Sequence, residues 1–210
     1  MAVTLVRGDY EHDLSLPART ASGRRLVIFL GGTLGNMENA EACALFSRVR
    51  AELRPGDALL VGANLPTDRH ALEAAYNDSA GVTAEFNKNA LRNVNALVGS
   101  RFELEDFEHE AIWNEHLRRI EMWLFARRHL EIPLGALGGA LRLAQGEGLR
   151  TEISRRFSRN ELESLLVESQ LVPSGWFTSE DGRFALAVAR VPEQGLWHPG
   201  LTSSPAPAPL

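Results

Sequence analysis

Apolar positions along this 210-residue chain fall into short blocks whose spacing changes character twice. AVTLV, residues 2–6, predicts a short buried strand ending on a turn that carries an acid, and GRRLVIFLGG, 23–32, predicts a second strand. In 39–53 the apolar residues Ala42, Leu45, Phe46, Val49 and Leu53 recur at helical spacing until Arg-Pro-Gly-Asp, 54–57, closes the pattern. ALLVGANL, 58–65, then supplies a third strand. Strand, helix and strand within about 40 residues make one βαβ unit, with parallel strands and a right-handed crossover.

The next block is helical, over 70–76 and 82–98, with Phe86, Ala90, Val94 and Leu97 on one face of the second helix. After Arg101 strands return. FELEDFEHEAIW and RRIEMWLFARRHLEI predict a pair, and LRLAQGEGLRTEISRRF predicts another pair around a turn at 145–148. Ser158, followed three residues later by Glu161, has the capping-box pattern and opens a helix expected to run to 171. WFTSEDGRFALAVARV predicts a hairpin across 180–182, since Asp-Gly between apolar runs favours a tight turn. From 192 the chain is rich in Pro, Ser, Gly and Ala, a composition expected of a disordered tail.

Composition narrows the function. With 44% hydrophobic and 23% charged residues, the chain can bury a sizeable core. Its formal charge of -5 speaks against nucleic acid as a partner, which demands a basic surface. The single cysteine, Cys43, lies in a helical pattern, can form no internal disulfide, and is expected in the core. No apolar run approaches the roughly 18 residues of a membrane span, so neither a membrane nor a location outside the cytoplasm is expected.

The recognisable motifs are mostly negative. FLGGTLGN, 29–36, places glycines at 31, 32 and 35 and fails GxGxxG, and no GxxxxGK[ST] loop is present. None of the six histidines belongs to HExxH or a Cys/His cluster, so no metal is expected. Position is more informative, because ligands of open parallel sheets collect outside the carboxyl ends of the strands. At one such end Asp9 and Tyr10 could bracket an adenine or ribose, or form an ordinary turn. At another, Gly31 lets a ligand approach the backbone, while Asn36 offers a donor and an acceptor or, equally, caps the helix that follows. In Thr151-Glu152-Ile153-Ser154, strand alternation puts Glu152 and Ser154 on one face and Ile153 on the other. An acceptor and a hydroxyl so placed could grip a small polar ring, or simply face solvent.

Taken together, GDYEHDL, RRLVIFLGGTLGN, LEAAYNDSAGVTAEFNKNAL, RIEMWL, RTEIS and the WFT…FALAVA hairpin resemble the histidine-specific, S-adenosylmethionine-dependent methyltransferases of ergothioneine biosynthesis. The resemblance runs in order over roughly 5–190. It implies an α/β fold of the class I (Rossmann-like) methyltransferase type, with an additional α+β substrate-binding lobe. The core would occupy 1–66 and 158–191, the lobe 67–157, and the tail 192–210. It implies methyl transfer from S-adenosylmethionine to the α-amino nitrogen of L-histidine. Asp9, Tyr10 and Gly31 match cofactor-binding positions; Asn36 and Tyr76 match residues holding the amino-acid end of histidine; Glu152 and Ser154 match the pair that reads the imidazole, with Ile153 between them. The runner-up is a catalytically inactive histidine-binding or interaction module.

The resemblance also implies a departure. Family members carry, ahead of GDYEHDL, a helical region with a substrate-binding tyrosine and two strands that bear the glycine-rich cofactor loop and the ribose-binding acid. The chain is therefore expected to be an N-terminally truncated member lacking its first two sheet strands, with a missing N-terminal half as possible partner. In the sheet order 3-2-1-4-5-7-6 the strand at 2–6 would then have no neighbour, and buried unpaired backbone groups cost about 1–3 kcal/mol each. Alone, the chain is expected to bind S-adenosylmethionine poorly and not to turn over.

Overall fold

A computed structural model describes residues 3, 5–12, 14–19 and 23–193. The expected βαβ unit is present: β1 (Leu26–Phe29), α1 (Asn39–Glu52) and β2 (Ala58–Asn64) follow in order. The two strands run parallel, with Val27 opposite Leu59 and Phe29 opposite Val61. α1 forms because Ala42, Leu45, Phe46 and Val49 fall on one side and are all buried. It stops where Leu53 turns extended ahead of Pro55 and the left-handed Gly56. Half-buried Cys43 packs against this core and is not enclosed by it.

α2 (Arg69–Tyr76) and α3 (Val82–Val98) follow, then β3 (Phe107–Asn114), β4 (Arg119–Ala126), β5 (Leu130–Pro133), β6 (Ala140–Leu143) and β7 (Gly148–Arg155). The chain then returns through α4 (Arg159–Glu168), β8 (Val172–Thr178) and β9 (Phe184–Arg190). Ser158 caps α4 and exchanges hydrogen bonds with Glu161, as the capping-box pattern predicts. The helix ends earlier than expected, at Glu168, and the chain reverses through Gln170 at φ 60°.

β9 inserts antiparallel between β2 and β8, giving a sheet ordered β1-β2-β9-β8. This is the 4-5-7-6 half of the 3-2-1-4-5-7-6 sheet that the resemblance implies, with β9 as the reversed strand. Phe46, Leu59, Val61, Leu162, Leu166, Leu171 and Ala187 close one core between this sheet and α1 and α4.

Three further expectations are corrected. Among the described residues of 2–6, Val3, Leu5 and Val6 form no strand, and Leu5 is 93% exposed. Strands need hydrogen-bonding neighbours, and among the described residues none lies beyond β1, whose Leu26 and Ile28 are also exposed. The long run 118–132 breaks into β4 and β5 at Arg127–His129. Most consequentially, β6 and β7 are not a hairpin. β6 pairs with β5, whereas β7 joins a sheet ordered β3-β4-β7. The reason is burial: Leu130, Ile132 and Leu143 close a core with Leu91, Phe107 and Leu124, and the turn at 144–147 bonds to Ala126 of β4.

The predicted tail from 192 lies outside the described residues beyond 193. No helix among the described residues is long and apolar enough to cross a membrane.

Candidate functional site

The β3-β4-β7 sheet carries α2 and α3 over one face. On β7, Ser154 lies opposite Ile120 and Glu152 opposite Met122, two β4 residues that cluster with Leu72 and Tyr76 of α2. Glu152 and Ser154 thus share the helix-covered face, as alternation predicts. Ile153 points the other way, opposite Glu121, and is buried.

Tyr76, the last residue of α2, places its hydroxyl 2.8 Å from Ser154 Oγ. Arg156 Nη1 donates to the same Oγ at 2.9 Å, and its guanidinium lies over the Tyr76 ring. If the tyrosine hydroxyl also donates, both lone pairs of Ser154 are occupied and its own proton is free for a ligand. Glu152 is the contrasting case. Among the described residues its carboxylate has no hydrogen-bond or ion-pair partner, and burial pushes its pKa above the ordinary carboxylate value. It lines a cavity of about 160 Å³ with Thr151 and with Phe86, Asn87, Ala90 and Asn93 of α3. The space is large enough for a small ring, and Glu152 helps to line it, whereas Ser154 and Tyr76 lie outside its lining.

Asn36 follows β1 of the other sheet. It ends a 3₁₀ turn, Thr33–Asn36, that packs against β7. A Cβ on the preceding Gly35 would lie 3.1 Å from the Arg155 carbonyl oxygen, so glycine permits the close approach. Arg155 Nη1 donates to the Met37 carbonyl at 3.2 Å, and Arg119 Nη1 to Glu38 at 2.6 Å, fixing the segment after Asn36. Asn36 is exposed and does not cap α1; Glu38 stands at that position, its backbone N–H donating to Glu41.

The cofactor candidates lie apart from the Glu152 cavity. Tyr10 packs edge-on to Phe29, centroids 5.7 Å apart, two residues before Gly31. Gly31 is left-handed at φ 89°, and its open surroundings leave the backbone approachable at the carboxyl end of β1. The Asp9 carboxylate is exposed; its hydrogen bond to His12 is the main cause of a pKa below the usual value, followed by the Glu11 N–H. An acceptor, an aromatic ring and bare backbone beside the strand exit fit an adenosyl group. They would form one side of such a site. A larger hollow of about 530 Å³ follows the free edge of β1, between Leu16 and Ile28, and contains none of the candidate residues.

Sequence reasoning passed over two residues. Asn87 and His109 join α3, β3 and the end of α2 by side-chain hydrogen bonds; His109 had only its charge-rich neighbourhood to mark it, and Asn87 only its place in LEAAYNDSAGVTAEFNKNAL.

A half-sheet whose next-to-edge strand is reversed, with a helix-covered lobe inserted before its last helix, is the 4-5-7-6 part of the class I (Rossmann-like) methyltransferase fold. More particularly, the chain belongs to the family of histidine-specific, S-adenosylmethionine-dependent methyltransferases, whose model matches residues 1–191. It is 41% identical over 187 residues to histidine N-alpha-methyltransferase of Mycolicibacterium smegmatis, and 37% identical over 187 residues to that of Mycobacterium tuberculosis. In both cases 89% of this chain covers 58% of the relative. Ergothioneine biosynthesis protein 1 of Neurospora crassa is 27% identical over 173 residues, 80% of this chain and 19% of that protein. The chain thus spans little more than half the length of the bacterial relatives it matches.

Proposed function

We propose that this chain forms the substrate-binding part of an enzyme that methylates the α-amino nitrogen of L-histidine, in the route to ergothioneine. The observation that carries the reading is the unpartnered, half-buried Glu152 carboxylate beside Ser154 on one strand face, next to a hollow of ring size that Glu152 helps to line. Neutral imidazole has one N–H donor and one bare nitrogen. Glu152 accepts from the first and the free Ser154 proton is donated to the second, so a ligand without that ring leaves both groups unpaired, which is how such a pocket discriminates. Tyr76 and Asn36, on the α2 and 3₁₀ sides of β7, hold the amino-acid end. Residues 67–157 are the substrate-binding lobe; 1–66 and 158–191 are the core.

S-adenosylmethionine, when bound, supplies an electrophilic methyl group on a sulfonium. Asp9, Tyr10 and Gly31 would hold its adenosyl end. The chain's own contribution is alignment of an unprotonated amine, and orientation of this kind supplies most of the rate in a displacement needing no covalent help. Because Asp9 and Tyr10 are exposed, the site is completed by polypeptide beyond β1, such as the N-terminal part of the family's longer members. The histidine-binding module without turnover is the second reading, favoured by the same exposure. A cytoplasmic location accords with both.

Thermal melts of the 210-residue chain test the proposal. L-histidine should raise the melting temperature, Glu152→Ala should remove that rise, and imidazole-free amino acids should give none. An equal response of wild type and Glu152→Ala to histidine would refute the imidazole assignment. Turnover on adding the N-terminal part of a relative separates enzyme from module.

A further inference from the structure

Three elements carry the proposed pocket: α2 through Tyr76, α3 as its wall, and β7 through Glu152 and Ser154. One chain of hydrogen bonds links them. His109, half-buried on β3, places Nε2 2.8 Å from the Tyr76 carbonyl oxygen and Nδ1 2.9 Å from Asn87 Nδ2. A carbonyl only accepts, so Nε2 bears the proton, and Nδ1 is left to accept from the Asn87 amide. In that orientation the Asn87 oxygen accepts from the Thr151 hydroxyl, and its amide nitrogen also donates to the Trp123 carbonyl at 3.2 Å. Asn87 is only 2% exposed, and turning its amide over would set oxygen against the Trp123 oxygen. The direction of every bond is therefore determined.

Both ends of this chain fall beside proposed substrate contacts. The Tyr76 carbonyl is one of the helix-terminal acceptors that α2 cannot satisfy internally. Thr151 lies where the β4–β7 register slips between Met122 and Trp123, so it is left out of the ladder directly ahead of Glu152. A bulged residue re-aims its neighbour, and here the Asn87 oxygen and the Met122 carbonyl, 3.0 Å away, are what hold it.

We infer that His109 is a positioning residue for the histidine pocket: through the Tyr76 carbonyl and through Asn87 it sets the Tyr76 hydroxyl and the Glu152 carboxylate relative to each other. It touches no substrate, and its role in recognition rests on the function proposed above. Loss of the histidine ring frees two separate elements at once, whereas the hydrophobic cluster of Leu72, Ile120 and Met122 still holds the helix on the sheet.

The test uses the 210-residue chain, with ¹⁵N NMR and L-histidine titration. The His109 ring in the free protein should show a bare Nδ1 and a protonated Nε2. His109→Phe keeps an aromatic ring and removes both contacts; backbone signals of Tyr76, Thr151 and Glu152 should shift, and histidine affinity should fall about tenfold, the effect of one lost hydrogen bond. His109→Gln retains one donor and one acceptor and should bind within about threefold of wild type, a rescue that simple packing would not give. Asn87→Ala leaves the His109 ring in place but removes the amide that joins it to Thr151, so the Thr151 and Glu152 signals should shift; this variant carries the test if His109→Phe does not fold, and unchanged signals there overturn the inference. A folded His109→Phe protein with unchanged affinity, or a wild-type ring protonated on Nδ1, overturns the inference. If wild type binds no histidine, the proposed substrate is wrong, while shifts at Thr151 and Glu152 in His109→Phe still uphold the positioning role and their absence overturns it.

Discussion

Asp57 should be the residue on which the acid stability of the core turns. It follows the Arg-Pro-Gly turn and is 2% exposed. Its carboxylate accepts from the Arg25 N–H at 2.7 Å, the Arg54 N–H at 2.8 Å and the Arg19 guanidinium, so it ties the entry of β1 to the start of β2. Burial alone pushes its pKa up; the Arg19 guanidinium and the two backbone N–H groups outweigh burial and bring it to about 2, against 3.8 ordinarily. At about 1.36 kcal/mol per pH unit that difference corresponds to about 2.4 kcal/mol, and solvent screening around Arg19 reduces the realised figure to about 1–2 kcal/mol. A depressed carboxyl pKa stabilises the folded state fully above the unfolded value and loses that contribution as pH falls from about 4 through 2. Asp57→Asn keeps one acceptor, removes the charge and turns an NH₂ toward its former donors. Urea unfolding at neutral pH should show the variant less stable by about 1–2 kcal/mol, with the gap roughly halved by about pH 3. A gap independent of pH over that range would refute the linkage, and no gap at neutral pH would refute the structural role altogether.

Two further substitutions probe the site and its frame. Gly35→Ala places a methyl 3.1 Å from the Arg155 carbonyl oxygen and 3.3 Å from its nitrogen, both backbone atoms, so the 3₁₀ turn must move off β7 with Asn36. Thermal melts and histidine titration should show about 1–3 kcal/mol of lost stability together with weaker binding. Ser158→Ala removes the Oγ that caps α4 and should cost about 1 kcal/mol, read as a melting temperature roughly 2–4 °C lower, with histidine affinity unchanged.

Much of the fold was legible because its signals are local. α3 falls on 82–98 as its apolar spacing predicts, although Phe86, Val94 and Leu97 of that face stay exposed and Asn87 and Leu91 are the buried positions, and Ser158 with Glu161 marks the start of α4 by side-chain chemistry that the structure repeats. Pairing was less legible, because a strand's partner is chosen by burial elsewhere. β6 and β7 are separated by a short turn that reads as a hairpin, yet Leu143 belongs to the cluster around Leu130 and Ile132, which takes β6 away from β7. The candidate site divides in the same way. Alternation on β7 sufficed to put Glu152 and Ser154 on one face, whereas the approach of Asn36 depends on a glycine meeting the backbone of Arg155, 120 residues distant in sequence. His109 carries no motif at all. Its place emerges only when β3 crosses beneath α2 and α3.

The two ends of the proposed site differ in how far the described residues complete them, and the difference bears on which ligand the chain can take by itself. At the imidazole end, Ser154, Tyr76, Arg156, Asn87, His109 and Thr151 are joined by hydrogen bonds, so the groups around Glu152 are held before any ligand arrives. Such preorganisation reduces the entropy lost on binding. At the adenosyl end, Asp9 bonds only to its own turn, Tyr10 leans on one ring, and Val3, Leu5 and Val6 have no strand beside them. For each residue that a ligand bound there has to fix, about 1–2 kcal/mol of backbone entropy is lost. A few such residues offset most of the affinity of a micromolar ligand, about 8 kcal/mol. On the function proposed above, histidine recognition by this chain is therefore expected to depend less on groups beyond the described residues than cofactor binding does.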